Sequence, residues 1–211
     1  MLRNCAREPE VVDLAAALVR MGARIEGAGT DEITIRGVEA LRPIDHTVIP
    51  DRIEAGTFLV AGALPGGDVT VRGCVSGHLE ALVEKLRAIG AEVQDIPAGL
   101  RVVGDGRPRP VDVRTAPHPG FPTDMQAQLM VLLCLADGSS KIIETVFENR
   151  FMHVQELQRL GADIAVDGKT AVVKGVPTLS GAPVMASDLR ASAALLLAGL
   201  AAHGATDRTS G

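Results

Sequence analysis

The chain has 211 residues, of which 46% are hydrophobic and 22% are charged, so it can bury a sizeable core. Its formal net charge of -5, the absence of Trp and Tyr and the presence of only 4 Phe argue against a nucleic-acid-binding protein, which needs a basic surface and stacking aromatics. The longest apolar run, residues 191–202, is shorter than the roughly 20 residues of a membrane span, and the first residues lack a signal-peptide pattern. We therefore expect a cytoplasmic protein that binds neither nucleic acid nor membranes.

Two kinds of structural unit alternate along the chain. The first is a helix that ends at Gly-Ala and is followed by two short strands, predicted for residues 12–38, 79–104 and 153–176. The second is a helix that opens near an aspartate and runs through a glycine turn into a strand, predicted for 50–73, 122–146 and 186–211. Gly22, Gly90 and Gly161 stand where a helix end favours a left-handed residue.

In chain order these units give a β-α-β-α-β-β pattern that repeats at an interval of roughly 70 residues, the length range of supersecondary repeats. Such a unit cannot bury its apolar face alone, so the prediction is an α/β fold with helices inside and sheets outside. The strand pattern is lost after Gly204, where ATDRTSG stands. We therefore expect the chain to stop in the middle of a repeat.

The cysteines are not expected to hold a metal or form a disulfide framework, because there are three of them and they lack ligand spacing. Cys74 is a candidate nucleophile, but no adjacent basic pair favours its thiolate, so a small buried residue is the preferred interpretation. Cys134 lies in an apolar helix and is expected in the core. No cofactor is predicted.

Asp51, Asp124 and Asp188 occupy equivalent places at the helix starts of the second unit. Such an aspartate caps its helix by accepting backbone N–H bonds, and capping is the plain interpretation of all three. Asp124 differs because it follows a stiff proline-rich loop, TAPHPGFPTD (115–124), and so is a candidate for ligand binding as well. His118 in this loop is either a general base or a hydrogen-bonded loop residue.

A second polar cluster follows the helix that Asp124 opens, in the stretch ETVFENRFMH (144–153). It stands at a predicted strand-to-helix junction, where ligands of α/β sheets often bind. Its guanidinium, Arg150, suits a carboxylate or a phosphate. The alternative is a solvated turn with weak ion pairs. The other polar residues of the stretch are Glu144, Glu148, Asn149 and His153.

Several stretches together resemble the UDP-N-acetylglucosamine 1-carboxyvinyltransferases, bacterial enolpyruvyl transferases that catalyse the first committed step of peptidoglycan synthesis. The stretches that carry the resemblance are NCAREPEVVDLA, GAGTDEITIRGV, PDRIEAGTFLVAGA, TAPHPGFPTDMQAQ, ETVFENRFMH, RLGADI and LSGAPVMASDLRASAALLLAGLAAHG, within residues 4–204. The resemblance implies a fold of two domains built from such repeats, with the substrates in the cleft between them. Residues 1–43 would be the tail of the first domain and 44–211 most of the second.

The resemblance also implies roles for individual residues. Asp124 looks like the carboxylate that contacts the sugar 3-hydroxyl and takes its proton, which is the task of a general base. Thr123 and Val146 match contacts to the sugar nucleotide. The other cleft positions that the resemblance implies are Arg150, Asp188 and Arg190, with roles at the phosphate or carboxylate groups of the substrates.

The sequence lacks several charged or reactive residues that the family pattern contains. The Lys-Asn pair and the reactive-cysteine loop of the first domain do not occur in it, and the phosphoenolpyruvate-binding arginine expected after the third repeat is also missing. The family reaction is enolpyruvyl transfer from phosphoenolpyruvate to the 3-hydroxyl of UDP-N-acetylglucosamine. We expect that this chain alone does not catalyse it. The alternative is a non-catalytic module that binds the sugar nucleotide or an intact enzyme, and the chain is also consistent with a fragment of a longer reading frame.

An apolar stripe at helical spacing, Val11, Leu14, Leu18 and Met21, lies in the stretch assigned to the first domain. In the full two-domain fold it would pack against the remainder of that domain. We expect it to be exposed and to cause self-association.

Overall fold

The computed structural model describes residues 1–186 and 189–210. The N-terminal part is a small unit of one helix and three strands: β1 (Leu2–Arg3), α1 (Pro9–Arg20), β2 (Arg24–Glu26) and β3 (Glu32–Arg36). The strands form an antiparallel sheet in the order β1-β3-β2. Pro9 begins α1, where its fixed φ suits the first helical turn and its missing N–H leaves no bond unmade.

Residues 37–51 contain no helix or strand and lead into the first copy of the repeat, which lacks the opening strand. That copy has two helices and a three-stranded antiparallel sheet in the order β4-β6-β5, with a 3-10 turn at Ser76–His78. Its elements are α2 (Arg52–Gly62), β4 (Asp68–Arg72), α3 (Glu80–Ala88), β5 (Glu92–Ile96) and β6 (Gly99–Val103).

The second copy shows the complete predicted pattern of β-α-β-α-β-β. Its sheet has the order β7-β8-β10-β9, with β7 parallel to β8 and the other pairs antiparallel. A 3-10 turn at Thr123–Met125 precedes its first helix. The elements are β7 (Val113–Arg114), α4 (Gln126–Cys134), β8 (Ser139–Ile143), α5 (Val154–Arg159), β9 (Asp163–Asp167) and β10 (Thr170–Lys174).

The third copy contains a strand beyond Gly204, where the sequence pattern predicts none. Its elements are β11 (Leu179–Ser180), β12 (Val184–Ala186), α6 (Leu189–Ala201), β13 (Ala202–His203) and β14 (Arg208–Ser210). The last strand pairs in parallel with β12, and β13 pairs in parallel with β11. An Arg-Thr-Ser strand has no apolar alternation, so its pairing depends on the backbone and leaves no signal in the sequence pattern.

Helices α2, α4 and α6 contact one another inside the fold, as predicted for helices that pack inward, whereas most of α1 is not buried. Every residue of α4 is buried, and the helix packs against α2, α6, β8 and β10. It is apolar on nearly all sides, as a helix surrounded by protein must be. Cys134 lies in this helix, where burial raises the pKa of its thiol to about 12, and its predicted place in the core is confirmed. None of the helices in the described parts of the chain is long and apolar enough to cross a bilayer.

Candidate functional site

Asp124 lies between two arginines that come from distant parts of the chain. Its Oδ1 accepts a hydrogen bond from Arg150 Nη2 at 2.6 Å, and its Oδ2 is 3.4 Å from Arg190 Nη2. The 3-10 turn before α4 supplies the aspartate, the loop after β8 supplies Arg150, and α6 supplies Arg190. The Asp124 side chain keeps 38% of its surface exposed. Three residues singled out by the resemblance are thus in contact with one another and open to solvent.

The capping role expected for Asp124 is wrong. The turn already begins at Thr123, so Asp124 is inside it, and its side chain makes no capping bond. Asp51, at the equivalent place in the preceding copy, does cap: its Oδ1 accepts from the backbone N–H groups of Ile53 at 2.7 Å and Glu54 at 3.2 Å. Asp188 lies outside the described residues.

Glu144 is a buried carboxylate at which three segments of the chain meet. Its Oε1 accepts hydrogen bonds from Thr115 Oγ1 at 2.7 Å, Val146 N at 2.9 Å and Phe147 N at 3.0 Å. Its Oε2 accepts from Thr123 Oγ1 at 2.9 Å. The residue is 1% exposed. The carboxylate therefore ties the proline-rich loop to the loop that carries Arg150.

The ionisation of Glu144 follows from this environment. Burial by itself raises the pKa of a carboxyl, but the hydrogen bonds from Thr115, Phe147, Val146 and Thr123 outweigh it and leave the pKa of Glu144 below its ordinary value. The side chain is therefore a carboxylate at neutral pH, and four donors surround its charge.

The solvated-turn interpretation of residues 144–153 is wrong for Glu144 and His153, which are buried, and it fits the exposed Glu148 and Asn149. The sequence did contain a signal for Glu144. Side chains alternate between the faces of a strand, and Ser140 and Ile142 of β8 point into the core. Extending this alternation by two residues places Glu144 on the same inward face.

Arg150 is also held by an aromatic ring. Its guanidinium carbon lies 4.8 Å from the centroid of the Phe147 ring, within the range of a cation–π interaction. Phe147 is 57% exposed and Val146 is 43% exposed, so both are accessible from solvent. The predicted contact residues Thr123 and Val146 are thus both bound to Glu144, and Arg150 is bound to Asp124, the residue after Thr123.

An open groove of about 780 Å³ runs past Asp124 and Arg190. Its opposite wall is α1 and the segment 46–53, so the groove lies between the N-terminal unit and the repeats. Two polar contacts connect these parts beside it: Arg52 Nε lies 2.8 Å from Glu10 Oε1, and His46 Nε2 lies 3.1 Å from Asp13 Oδ1.

His118 and Cys74 do not line this groove. The backbone N–H of His118 donates to Glu8 Oε1 at 3.4 Å, and its ring lines a separate cavity of about 50 Å³. Burial, and then the positive charge of Arg52, lower the pKa of His118, so the ring is neutral at neutral pH. The interpretation as a hydrogen-bonded loop residue is the one that fits. Cys74 donates its thiol to the Val71 carbonyl at 3.6 Å and packs partly against the core.

No group of three or more His, Cys, Asp or Glu side chains in residues 1–186 and 189–210 is arranged to hold a metal ion. The cationic and hydrogen-bonding groups at the groove are instead suited to an organic anion that carries hydroxyl groups.

Comparisons with known proteins show which family the chain is similar to. The family model described as EPSP synthase (3-phosphoshikimate 1-carboxyvinyltransferase) matches residues 1–210. The chain is 85% identical over 207 residues to the UDP-N-acetylglucosamine 1-carboxyvinyltransferase of Anaeromyxobacter sp. (strain Fw109-5), and 61% identical to that of Myxococcus xanthus (strain DK1622). Each match covers 98% of this chain and 49% of the relative, so the chain spans about half the length of these curated relatives.

Solved structures show the same fold. The enolpyruvyl transferase NikO from Streptomyces tendae superposes with a TM-score of 0.84 at 34% identity, over 99% of this chain and 49% of that one. An EPSP synthase from Acinetobacter baumannii superposes with a TM-score of 0.59 at 21% identity, which shows likeness of fold alone. From the family match along its whole described length and from this fold, the chain belongs to the EPSP synthase family of carboxyvinyltransferases.

Proposed function

We propose that this chain is the part of a UDP-N-acetylglucosamine 1-carboxyvinyltransferase that holds the sugar nucleotide, with residues 1–43 as the tail of the first domain and 44–211 as most of the second. The single observation that carries the proposal is the exposed carboxylate of Asp124 at the groove, paired with Arg150 and Arg190. The names of the relatives supply the acceptor, UDP-N-acetylglucosamine, and the carboxyvinyl group that is transferred. The resemblance supplies the donor, phosphoenolpyruvate. The reaction is the first committed step of peptidoglycan synthesis.

Asp124 would act as the general base. An ionised carboxylate has about four acceptor sites, so it can accept a substrate hydroxyl while both arginines remain bound. Proton transfer from the sugar 3-hydroxyl to Asp124 would accompany formation of the bond between that oxygen and the second carbon of phosphoenolpyruvate, whose methylene carbon takes up a proton as its double bond is lost. Inorganic phosphate and one methyl proton would then leave the adduct, which restores the double bond. The intermediate adduct is anionic, and Arg150 and Arg190 are the cations that this chain offers to it.

The first test is turnover. The cationic groups that the family supplies from the first domain are missing from this sequence, so we expect no phosphate release above background from the two substrates. The measurement is a phosphate assay on the purified chain. Turnover that survives purification and is abolished by Asp124→Ala would contradict the expectation of inactivity while supporting the assigned base.

The second test is binding. We expect calorimetry to detect UDP-N-acetylglucosamine binding at millimolar ligand, and Asp124→Ala to weaken it at least about tenfold, as expected for loss of a charge-assisted hydrogen bond. Asp68→Ala is the matched control, because Asp68 is also paired with an arginine, at 2.6 Å from Arg101, but lies outside the groove. An absence of binding heat in the wild-type chain would reject the proposed role.

The alternative function is a non-catalytic module that binds an intact enzyme. One observation favours it: apolar side chains of α1 and the segment 46–53, among them Leu14 and Val48, remain exposed along the groove. Copurification of the chain with a full-length carboxyvinyltransferase, without sugar-nucleotide binding by the chain itself, would support this alternative over the first.

A further inference from the structure

The hydrogen bonds of Glu144 determine which polar groups of the site remain available to a ligand. Three donors converge on Oε1, and two of them are the backbone N–H groups of Val146 and Phe147. A carboxylate accepts hydrogen bonds and has none to give. These two N–H groups are therefore used inside the protein and cannot bind a ligand.

The same reasoning fixes the direction of two hydroxyl groups. Thr115 Oγ1 accepts from the backbone N–H of Thr145 at 2.9 Å, so its own hydrogen points to Glu144. Thr123 Oγ1 donates to Oε2 of Glu144 because that oxygen can only accept. The Thr123 hydroxyl then keeps only acceptor capacity, and Thr123 is partly exposed beside Asp124.

Three polar groups beside the bonds of Glu144 keep acceptor capacity. We define the acceptor face as the hydroxyl oxygen of Thr123, the carbonyl of Val146, which accepts no hydrogen bond from the described residues, and the carboxylate of the neighbouring Asp124. Two cations, Arg150 and Arg190, lie one at each oxygen of Asp124, and we define them as the cationic face. The site is thus divided into an acceptor face and a cationic face.

We propose that Glu144 is a positioning residue that gives the site this polarity, so that the acceptor face selects a ligand portion rich in O–H and N–H groups and excludes anionic groups. This inference rests on the proposed function only for the identity of that portion, the N-acetylglucosamine ring with its hydroxyls and amide N–H. The diphosphate and carboxylate groups of the substrates are left to the arginines.

The test compares Glu144→Gln with the matched control Glu148→Gln, an exposed glutamate four residues later in the same loop. The glutamine is close in shape, but its NH₂ group would donate to Thr123 and turn the threonine hydroxyl outward as a donor. We expect calorimetry to show UDP-N-acetylglucosamine binding weakened about tenfold by Glu144→Gln and UDP binding unchanged. The control should alter neither. Equal weakening of both ligands, or no change for UDP-N-acetylglucosamine, would overturn the proposal.

Amide hydrogen exchange needs no ligand, so it tests the role of Glu144 independently of the proposed function. Amide hydrogen exchange at Val146 and Phe147 should accelerate about tenfold in Glu144→Gln, because a neutral carboxamide oxygen is a weaker acceptor than a carboxylate. Unchanged exchange at these two amides would reject the role of Glu144. If the wild-type chain binds neither ligand, the proposed function fails and this measurement still decides the role of Glu144.

A second pair of variants keeps the proposal testable if Glu144→Gln does not fold. Thr123→Ser keeps the hydroxyl bond to Glu144, whereas Thr123→Val removes it at a partly exposed position. We expect serine to preserve the preference for UDP-N-acetylglucosamine over UDP and valine to reduce it. Equal preference in the two variants would contradict the inference.

Discussion

Asp51 and Asp124 occupy equivalent places in two repeats but have different roles. Asp51 stands before α2, in extended conformation, and its carboxylate reaches the free N–H groups of the first turn. Asp124 is inside a 3-10 turn, so its carboxylate cannot reach those groups and turns to Arg150 and Arg190 instead. The difference of one or two residues in where the helix begins separates a cap from a candidate base.

This difference predicts distinct responses to alanine and serine. At position 51 serine can still cap, so Asp51→Ala should lower the free energy of unfolding by about 1 kcal/mol relative to Asp51→Ser. At position 124 the same pair should give equal stabilities, since no backbone N–H is capped there. Urea denaturation of the four variants measures this. A similar gap between alanine and serine at both positions would show that Asp124 caps after all.

At the scale of elements, α4 is the centre of the fold. It is buried on every side and touches helices of the neighbouring copies as well as two strands of its own sheet. The segments on both sides of α4 carry the site. The 3-10 turn with Thr123 and Asp124 precedes the helix, and β8 follows it and leads to Glu144. The rigidity of α4 therefore fixes the distance between the two halves of the site.

A cavity in α4 should be costly. Leu132 is fully buried, so Leu132→Ala should lower the free energy of unfolding by about 2–5 kcal/mol, the range for leucine truncation in a core. Leu196 on α6 is 54% exposed, and Leu196→Ala should change stability by less than about 0.5 kcal/mol, as for an ordinary surface substitution. Equal losses in denaturant unfolding would mean that α4 is not the centre of packing.

At the scale of the whole molecule, the N-terminal unit and the repeats are joined mainly by polar contacts around an open groove. The segment 37–51 covers part of the predicted apolar stripe of α1. It is attached there because the backbone N–H of Arg42 donates to the Met21 carbonyl and His46 pairs with Asp13. Val11, Leu18 and Met21 are half-buried as a result. Leu14 remains 61% exposed, and Val12 and Val19 are exposed beside the stripe, so the expected apolar patch is present in smaller form.

Self-association through this patch remains a prediction. The apparent mass of the chain in sedimentation or light scattering should rise with concentration, and Leu14→Glu should reduce this rise because a charge cannot be buried between copies. Ala16→Glu adds the same charge at another exposed position of α1 and should have less effect. A constant monomeric mass over the accessible concentrations would contradict the prediction.

The sequence alone determined the repeat, its α/β class and most element positions, because these depend on local periodicity and on single residues such as the glycines with positive φ after α1, α3 and α5. Through its resemblance it also named Thr123, Asp124, Val146, Arg150 and Arg190 as site residues. Only the tertiary structure decided how these act. The bonds of Asp124 to Arg150 and Arg190 span 26 and 66 residues in the sequence. Those of Glu144 to the hydroxyls of Thr123 and Thr115 span 21 and 29 residues. Such contacts depend on how the helices and sheets pack, which no local pattern records.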